Sequence, residues 1–150
     1  MHFIIGVLAF GTYEDSAFSN AVETMAVLSE CMIPGSEKSG GHHRHFDYCV
    51  CFDGESTTVK NGHVKKEAYP EYPKMISCEE IEAMTFKRLS TGWEIEILTK
   101  EFLDTKPKKL SIHEFYGPGL EEISSEKKLL KILQKPNYKR AYIVFADAHI

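Results

Sequence analysis

The sequence has a single tryptophan, four cysteines with no C-x-x-C spacing, and only 16 glycines and prolines together among 150 residues. That composition excludes a disulfide-dense mini-protein, a collagen-like chain and a low-complexity segment. No apolar run approaches the ~18 residues that a membrane-spanning helix requires. Positive charge is also short. Eighteen Lys and Arg stand against 22 Asp and Glu, for a net charge of −4. A chain of this sign has no general attraction for nucleic acid or anionic lipid, since both need a concentrated positive face. Neither G-x-G-x-x-G nor G-x-x-x-x-G-K-[ST] occurs, which argues against a nucleotide cradle, and no G-x-S-x-G elbow is present.

What is there is an ordinary mixture, 43% hydrophobic and 27% charged, long enough for one domain over 1–150 to bury a real core. Cys49 and Cys51 are separated by one residue, about 6.6 Å along a strand, and would make a poor disulfide. With Cys31 and Cys78 they fit a reducing, cytoplasmic setting. The apolar run Phe3–Phe10 lacks a basic leader and a small-x-small cleavage site, and Glu14 and Asp15 follow at once. It reads as a strand and not as a signal peptide.

Phe3–Phe10 is apolar on both alternating faces, as a strand covered on both sides would be. Glu14, Asp15 and Ser16 open a helix carrying Phe18, Ala21, Val22, Met25, Leu28 and Met32 at helical spacing, stopped by Pro34-Gly35. Phe46, Tyr48, Val50 and Phe52 alternate with Asp47, Cys49 and Cys51, which predicts a strand with one strongly apolar face. Asn61-Gly62 suits a type I′ turn and places Val59 opposite Val64 in a hairpin. Ser77-x-x-Glu80 is a capping box, flanked by Ile76 and Ile81 at staple positions, and predicts a helix starting near Cys78. Residues 85–89 fit either its continuation or a hairpin with Trp93–Leu98. Leu110–Phe115 reads as one strand, Ser124 or Ser125 caps a helix ended by Pro136, and Ala141–Ala146 is a second central strand.

Together these elements predict an α+β fold. Its mixed, mainly antiparallel sheet has about 5–7 strands, with the N- and C-terminal strands central, packed by two or three helices.

Chemistry-bearing residues are scattered. His42, His43 and His45 run into the strand bearing Cys49 and Cys51, and imidazole with thiolate suits zinc, although the spacing matches no zinc framework. Cys78 sits where a helix N-terminus would activate a thiol, but Glu79, Glu80 and Glu82 crowd it and would raise its pKa. Asp147-Ala148-His149 follows the last strand and is expected to fray. Lys127, Lys128, Lys131, Lys135, Lys139 and Arg140 read as the solvated face of the late helix and its exit.

No recognisable catalytic set emerges and no cofactor is implied. The expected function is therefore a non-catalytic one: binding and masking another protein, as toxin-neutralising immunity proteins do. Glu14, Asp15, Asp53, Glu55, Glu94 and Glu96, with loop tyrosines Tyr69 and Tyr72, would meet a basic partner such as a toxin domain. Two other classes stay open. One is a small metal-dependent hydrolase using His42, His43, His45, Cys49 and Cys51 beside Asp53. The other is a structural subunit of a homo-oligomer pairing through the Trp93–Leu98 strand edge.

Overall fold

The structure is a computed structural model that describes residues 2–29, 46, 48–52, 57–60, 63–66, 72–90, 92–100, 109–134 and 140–149. A mixed seven-stranded sheet forms its centre. The two apolar runs become β1 (His2–Phe10) and β10 (Ala141–His149), antiparallel neighbours in register from His2 opposite His149 to Phe10 opposite Ala141. Both are central, as their two-faced hydrophobicity predicts. The sheet continues through β2 (Tyr48–Cys51), β3 (Thr57–Lys60) and β4 (His63–Lys66), and β5 (Met75–Ser77) joins β10 beside β2. Val59 pairs with Val64, the register that Asn61-Gly62 predicts. On the other flank β9 (Glu114–Tyr116) lies parallel to β1 over Ile5–Val7.

Three further strands build a second sheet in the order β6 (Ile81–Leu89), β7 (Gly92–Thr99) and β8 (Lys109–Ile112). The capping box forms only in part. Ser77 Oγ accepts from the Glu79 amide at 3.3 Å, but the turn is three residues of 3₁₀ helix, and Ile81 is already extended. Residues 85–89 are strand, because pairing with β7 and burial of alternate side chains override a local helical start. The run read as one strand at Leu110–Phe115 is two, divided at His113. There the chain crosses sheets, held by the His113 amide on the Ile4 carbonyl at 2.8 Å and the Ile4 amide on His113 Nδ1 at 3.0 Å. β7 has strands on both sides, so the edge expected at Trp93–Leu98 for pairing with another copy is already occupied.

Each face of the central sheet is covered. Helix α1 (Glu14–Ser29) buries Ala17, Ala21, Met25 and Leu28 against Ile5, Val7 and Ala9 of β1, Cys49 and Cys51 of β2, and Val144 and Ala146 of β10. The opposite face presents Leu8, Phe10, Ile143 and Phe145. The second sheet covers it with Met84, Ile95, Ile97, Leu110 and Ile112, and helix α2 (Glu126–Leu133) with Leu129 and Ile132. Gly6 lets the two sheets approach closely: a Cβ there would lie 2.9 Å from Ile112 Cδ1 and 3.1 Å from Ile143 Cγ2. Ser125 caps α2, accepting from the Lys128 amide at 3.2 Å.

Two further expectations change. Phe46 precedes β2 and does not share a face with Tyr48. Its amide bonds the Leu28 carbonyl at 3.2 Å and its ring meets Tyr116 edge-on, on the α1 side. Asp147 and His149, expected to fray, lie within β10, where the His149 ring stacks on Tyr48 at 4.8 Å.

Candidate functional site

Two clefts of about 500 Å³ each flank Phe10, the last residue of β1. They arise because the chain turns sharply from β1 into α1, so the helix start stands above the end of the strand. Asn20 ties the two elements together, its Nδ2 donating to the Phe10 carbonyl at 2.7 Å.

The first cleft lies between α1 and the turn Gly117–Glu121. Leu8, Ala9 and Phe10 form its floor, Asn20, Glu23, Thr24 and Val27 one wall, and Pro118–Leu120 the other. The turn is rigidly built. The Gly117 amide donates to the Glu121 carbonyl at 2.8 Å, and Leu120 holds a left-handed φ of 68°.

The second cleft carries more charge. Glu14 on the first turn of α1, Glu79 on the 3₁₀ turn and Arg140 before β10 line it above Phe10, Leu133, Ala141 and Tyr142. Two carboxylates against one guanidinium leave an acidic excess, over an apolar floor that suits the alkyl stem of a lysine or arginine. Cys78 also lines this cleft. Burial pushes its thiol up to about 12, so at neutral pH it is protonated and a poor nucleophile. The expectation that neighbouring acids would raise it has the right direction, but the cause is desolvation.

The structure thus brings Glu14 together with Glu79 and Arg140, which sequence reasoning treated separately. Glu79 was obscured by the capping box, and Arg140 by the lysine-rich run before it. The other predicted acids lie elsewhere. Asp15 is exposed beside Glu14 on α1. Glu94 and Glu96 point outward from β7, on the layer beyond the opposite face of the central sheet, where Lys87 lies across from Glu94 and Lys109 Nζ meets Glu96 Oε1 at 3.0 Å. That face is mixed in charge, and its exposed ion pair contributes little to stability. Tyr72 packs on the core: its ring stacks on Phe52 at 5.0 Å and its hydroxyl donates to the Ser111 carbonyl at 3.0 Å. Asp53, Glu55 and Tyr69 lie outside the described residues.

The face shared by Cys49 and Cys51 is the one buried under α1. Cys51 Sγ contacts Met25 Sδ at 3.5 Å, and Cys49 Sγ lies 3.8 Å from Ser29 Oγ. Desolvation first, with a smaller contribution from the Asp147 charge, pushes the Cys49 thiol up to about 12 against the lowering effect of Ser29. His42, His43 and His45 lie outside the described residues, and among the described ones no three His, Cys, Asp or Glu side chains are grouped to hold a metal ion. The expected outcome for the thiols is protection. In the folded protein at neutral pH, iodoacetamide modifies Cys49 and Cys51 at least roughly a hundredfold more slowly than in denaturant, read by peptide mass, because both thiols are buried away from the reagent and burial also keeps Cys49 protonated. Equal rates in the two conditions would contradict the packing described.

Among the described residues no helix is long and apolar enough to cross a membrane. Comparison with protein-family models, with curated proteins and with solved structures finds no match for this chain, so its functional reading rests on the geometry of these clefts.

Proposed function

We propose that this protein acts without catalysis, by binding and masking a basic partner protein, with the cleft of Glu14, Glu79 and Arg140 as its anchoring site. The observation that carries the reading is the chemistry of that cleft. It joins an acidic excess to an apolar floor, and its one thiol is held protonated by burial. Such a surface accepts a cationic side chain, and its thiol is a poor nucleophile at neutral pH. Tyr13, 60% exposed, stands immediately before Glu14 in the chain and carries an amphipathic ring of the type enriched at interfaces. A toxin domain neutralised by contact is the partner class we favour, since complementary charge speeds association and disfavours wrong partners. The reduced thiols of Cys49 and Cys78 support a reducing, cytoplasmic setting.

The test is capture from a lysate of the native host, at low and high salt, with the natural chain and with a Glu14→Lys/Glu79→Lys variant of unchanged circular dichroism. The expected result is a basic protein retained in equal molar amount by the natural chain, and at least roughly tenfold less by the variant, with weaker retention at high salt. Equal retention by both chains removes the cleft from the interface. Stoichiometric zinc or manganese in untagged protein, with no retained partner, would replace the reading by the hydrolase class.

A further inference from the structure

The second sheet ends at β6, and among the described residues no strand pairs with the outer edge of that nine-residue strand. Long open edges invite pairing with another chain, and charged side chains usually guard them by repulsion. On β6 the charges are placed differently. Its sequence, Ile81-Glu82-Ala83-Met84-Thr85-Phe86-Lys87-Arg88-Leu89, is self-complementary when read against itself in the opposite direction about Thr85. Glu82 then faces Arg88, Met84 faces Phe86 and Ala83 faces Lys87, each pair occurring twice, with Thr85 opposite Thr85 at the centre, while the bulge at Glu82 carries Ile81 onto the core face and out of this register.

The backbone permits the same register. Counting from the closing Leu89–Gly92 pair, Leu89, Lys87, Thr85 and Ala83 turn their hydrogen-bonding groups toward β7, which leaves Met84, Phe86 and Arg88 directing theirs to the open side. In the self-paired arrangement Met84 and Phe86 of the two copies exchange those bonds, and Thr85 is the non-bonded pair between them. A shift of two residues one way places Arg88 against Met84 and loses both ion pairs; the other way sets Glu82 against Phe86 and carries Arg88 past the end of β6, opposite Glu80 of the 3₁₀ turn, so within the strand charge favours the centred register. A bulge between Ile81 and Ala83 takes Glu82 out of the ladder with β7, and both Glu82 and Arg88 are exposed. Helix α2 reaches this strand from the core side, sharing a cluster with the inward-facing Met84 and Phe86.

From this complementarity we propose that β6 is a homodimer interface, at which two copies of the chain join antiparallel about a two-fold axis through Thr85 into one continuous six-stranded sheet. The occupant is a second copy because Glu82, Met84, Thr85, Phe86 and Arg88 meet their own reverse as acid against base and apolar against apolar. This interface lies apart from the acid-lined cleft and holds whether or not a partner binds there.

Four chains test it by sedimentation equilibrium. The natural chain is expected at twice its 17.1 kDa mass. Glu82→Arg or Arg88→Glu alone creates two like-charge pairs and weakens the dimer by roughly tenfold or more. The exchange variant Glu82→Arg/Arg88→Glu restores it, because both pairs return with reversed sign. Arg88 also lies 5.1 Å over the Trp93 ring within its own chain. That contact is lost in Arg88→Glu and in the exchange variant alike, so rescue reports the contact between copies. Thr85→Cys is expected to form a disulfide between copies, since a non-bonded antiparallel pair has Cα atoms about 4.5 Å apart. Lys87→Cys, which faces Ala83 of the other copy, is expected not to. A natural chain of single mass at the highest soluble concentration overturns the proposal. So does a dimer indifferent to both single reversals, cross-linking of Lys87→Cys as fast as Thr85→Cys, or an edge that accepts only a different protein.

Discussion

Replacing Phe145 by alanine is expected to remove about 3–5 kcal/mol of stability. Phe145 is fully buried in β10, opposite Gly6 of β1, on the face where the two sheets meet. Leu8, Ile143, Ile112 and Phe115 share its core cluster, and the Tyr72 ring lies 6.0 Å from its own. Truncation empties the space between two hydrogen-bonded sheets, whose backbones cannot close on the void, so both the transfer loss and the cavity cost are felt. Against a total of about 5–15 kcal/mol, the variant is left with little margin. The check is urea unfolding followed by tryptophan fluorescence at Trp93: the midpoint falls sharply while the slope holds. Leu98→Ala, at an exposed position on the outer face of β7, is the control and is expected to move stability by no more than about 0.5 kcal/mol. If Phe145→Ala behaves like Leu98→Ala, the two sheets do not pack as described.

The same residue shows why much of this fold is legible in the sequence. Ala141–Ala146 has no polar face, and a strand with none must be covered on both sides. The central places of β1 and β10 and the Val59–Val64 register follow from equally local signals. Division of the strands between two sheets was not legible. Whether Leu110–Phe115 is one strand or two depends on His113 meeting Ile4, 109 positions away, and no periodicity reports a contact of that range. The Ser77–Glu80 box was misleading for a related reason: a cap fixes where a turn begins, whereas its length here is set by the pairing of β6 with β7. Of the candidate site, Glu14 was visible as an acidic helix start. Glu79 and Arg140 join it only because β5 and β10 are neighbours, so that the turn leaving one and the segment entering the other meet at the end of β1. Acidity along the chain similarly gave no sign that Lys87 and Lys109 would stand across from Glu94 and Glu96.

Tyr116→Phe is expected to cost about 1.5–3 kcal/mol at neutral pH, the range for a hydrogen bond to a charged group. The Tyr116 hydroxyl donates to Glu114 Oε2 at the edge of the central sheet, where Tyr116 is buried and Glu114 partly so. Burial raises the Glu114 carboxyl above its ordinary 4.5; the bond from Tyr116 lowers it, the Glu122 charge raises it, and His113 lowers it. The Tyr116 hydroxyl is itself pushed up by burial and by the Glu114 charge, so it stays a donor throughout the accessible range. A carboxyl raised in the folded state is more comfortable neutral. Its favourable contribution is complete below about 4.5 and is lost as pH rises through the higher folded value. Removing the hydroxyl takes away the group that makes ionised Glu114 tolerable. The variant therefore loses most stability at neutral pH and recovers toward the natural chain as pH falls below the folded carboxyl value. Glu114→Gln in the Tyr116→Phe background removes the buried charge and is expected to restore most of the loss at pH 7, with little effect at pH 4. Chemical denaturation of the four chains at both pH values measures this as a double-mutant cycle. A Tyr116→Phe penalty that is equal at the two pH values and untouched by Glu114→Gln would show that the phenol acts through packing and not through the carboxylate.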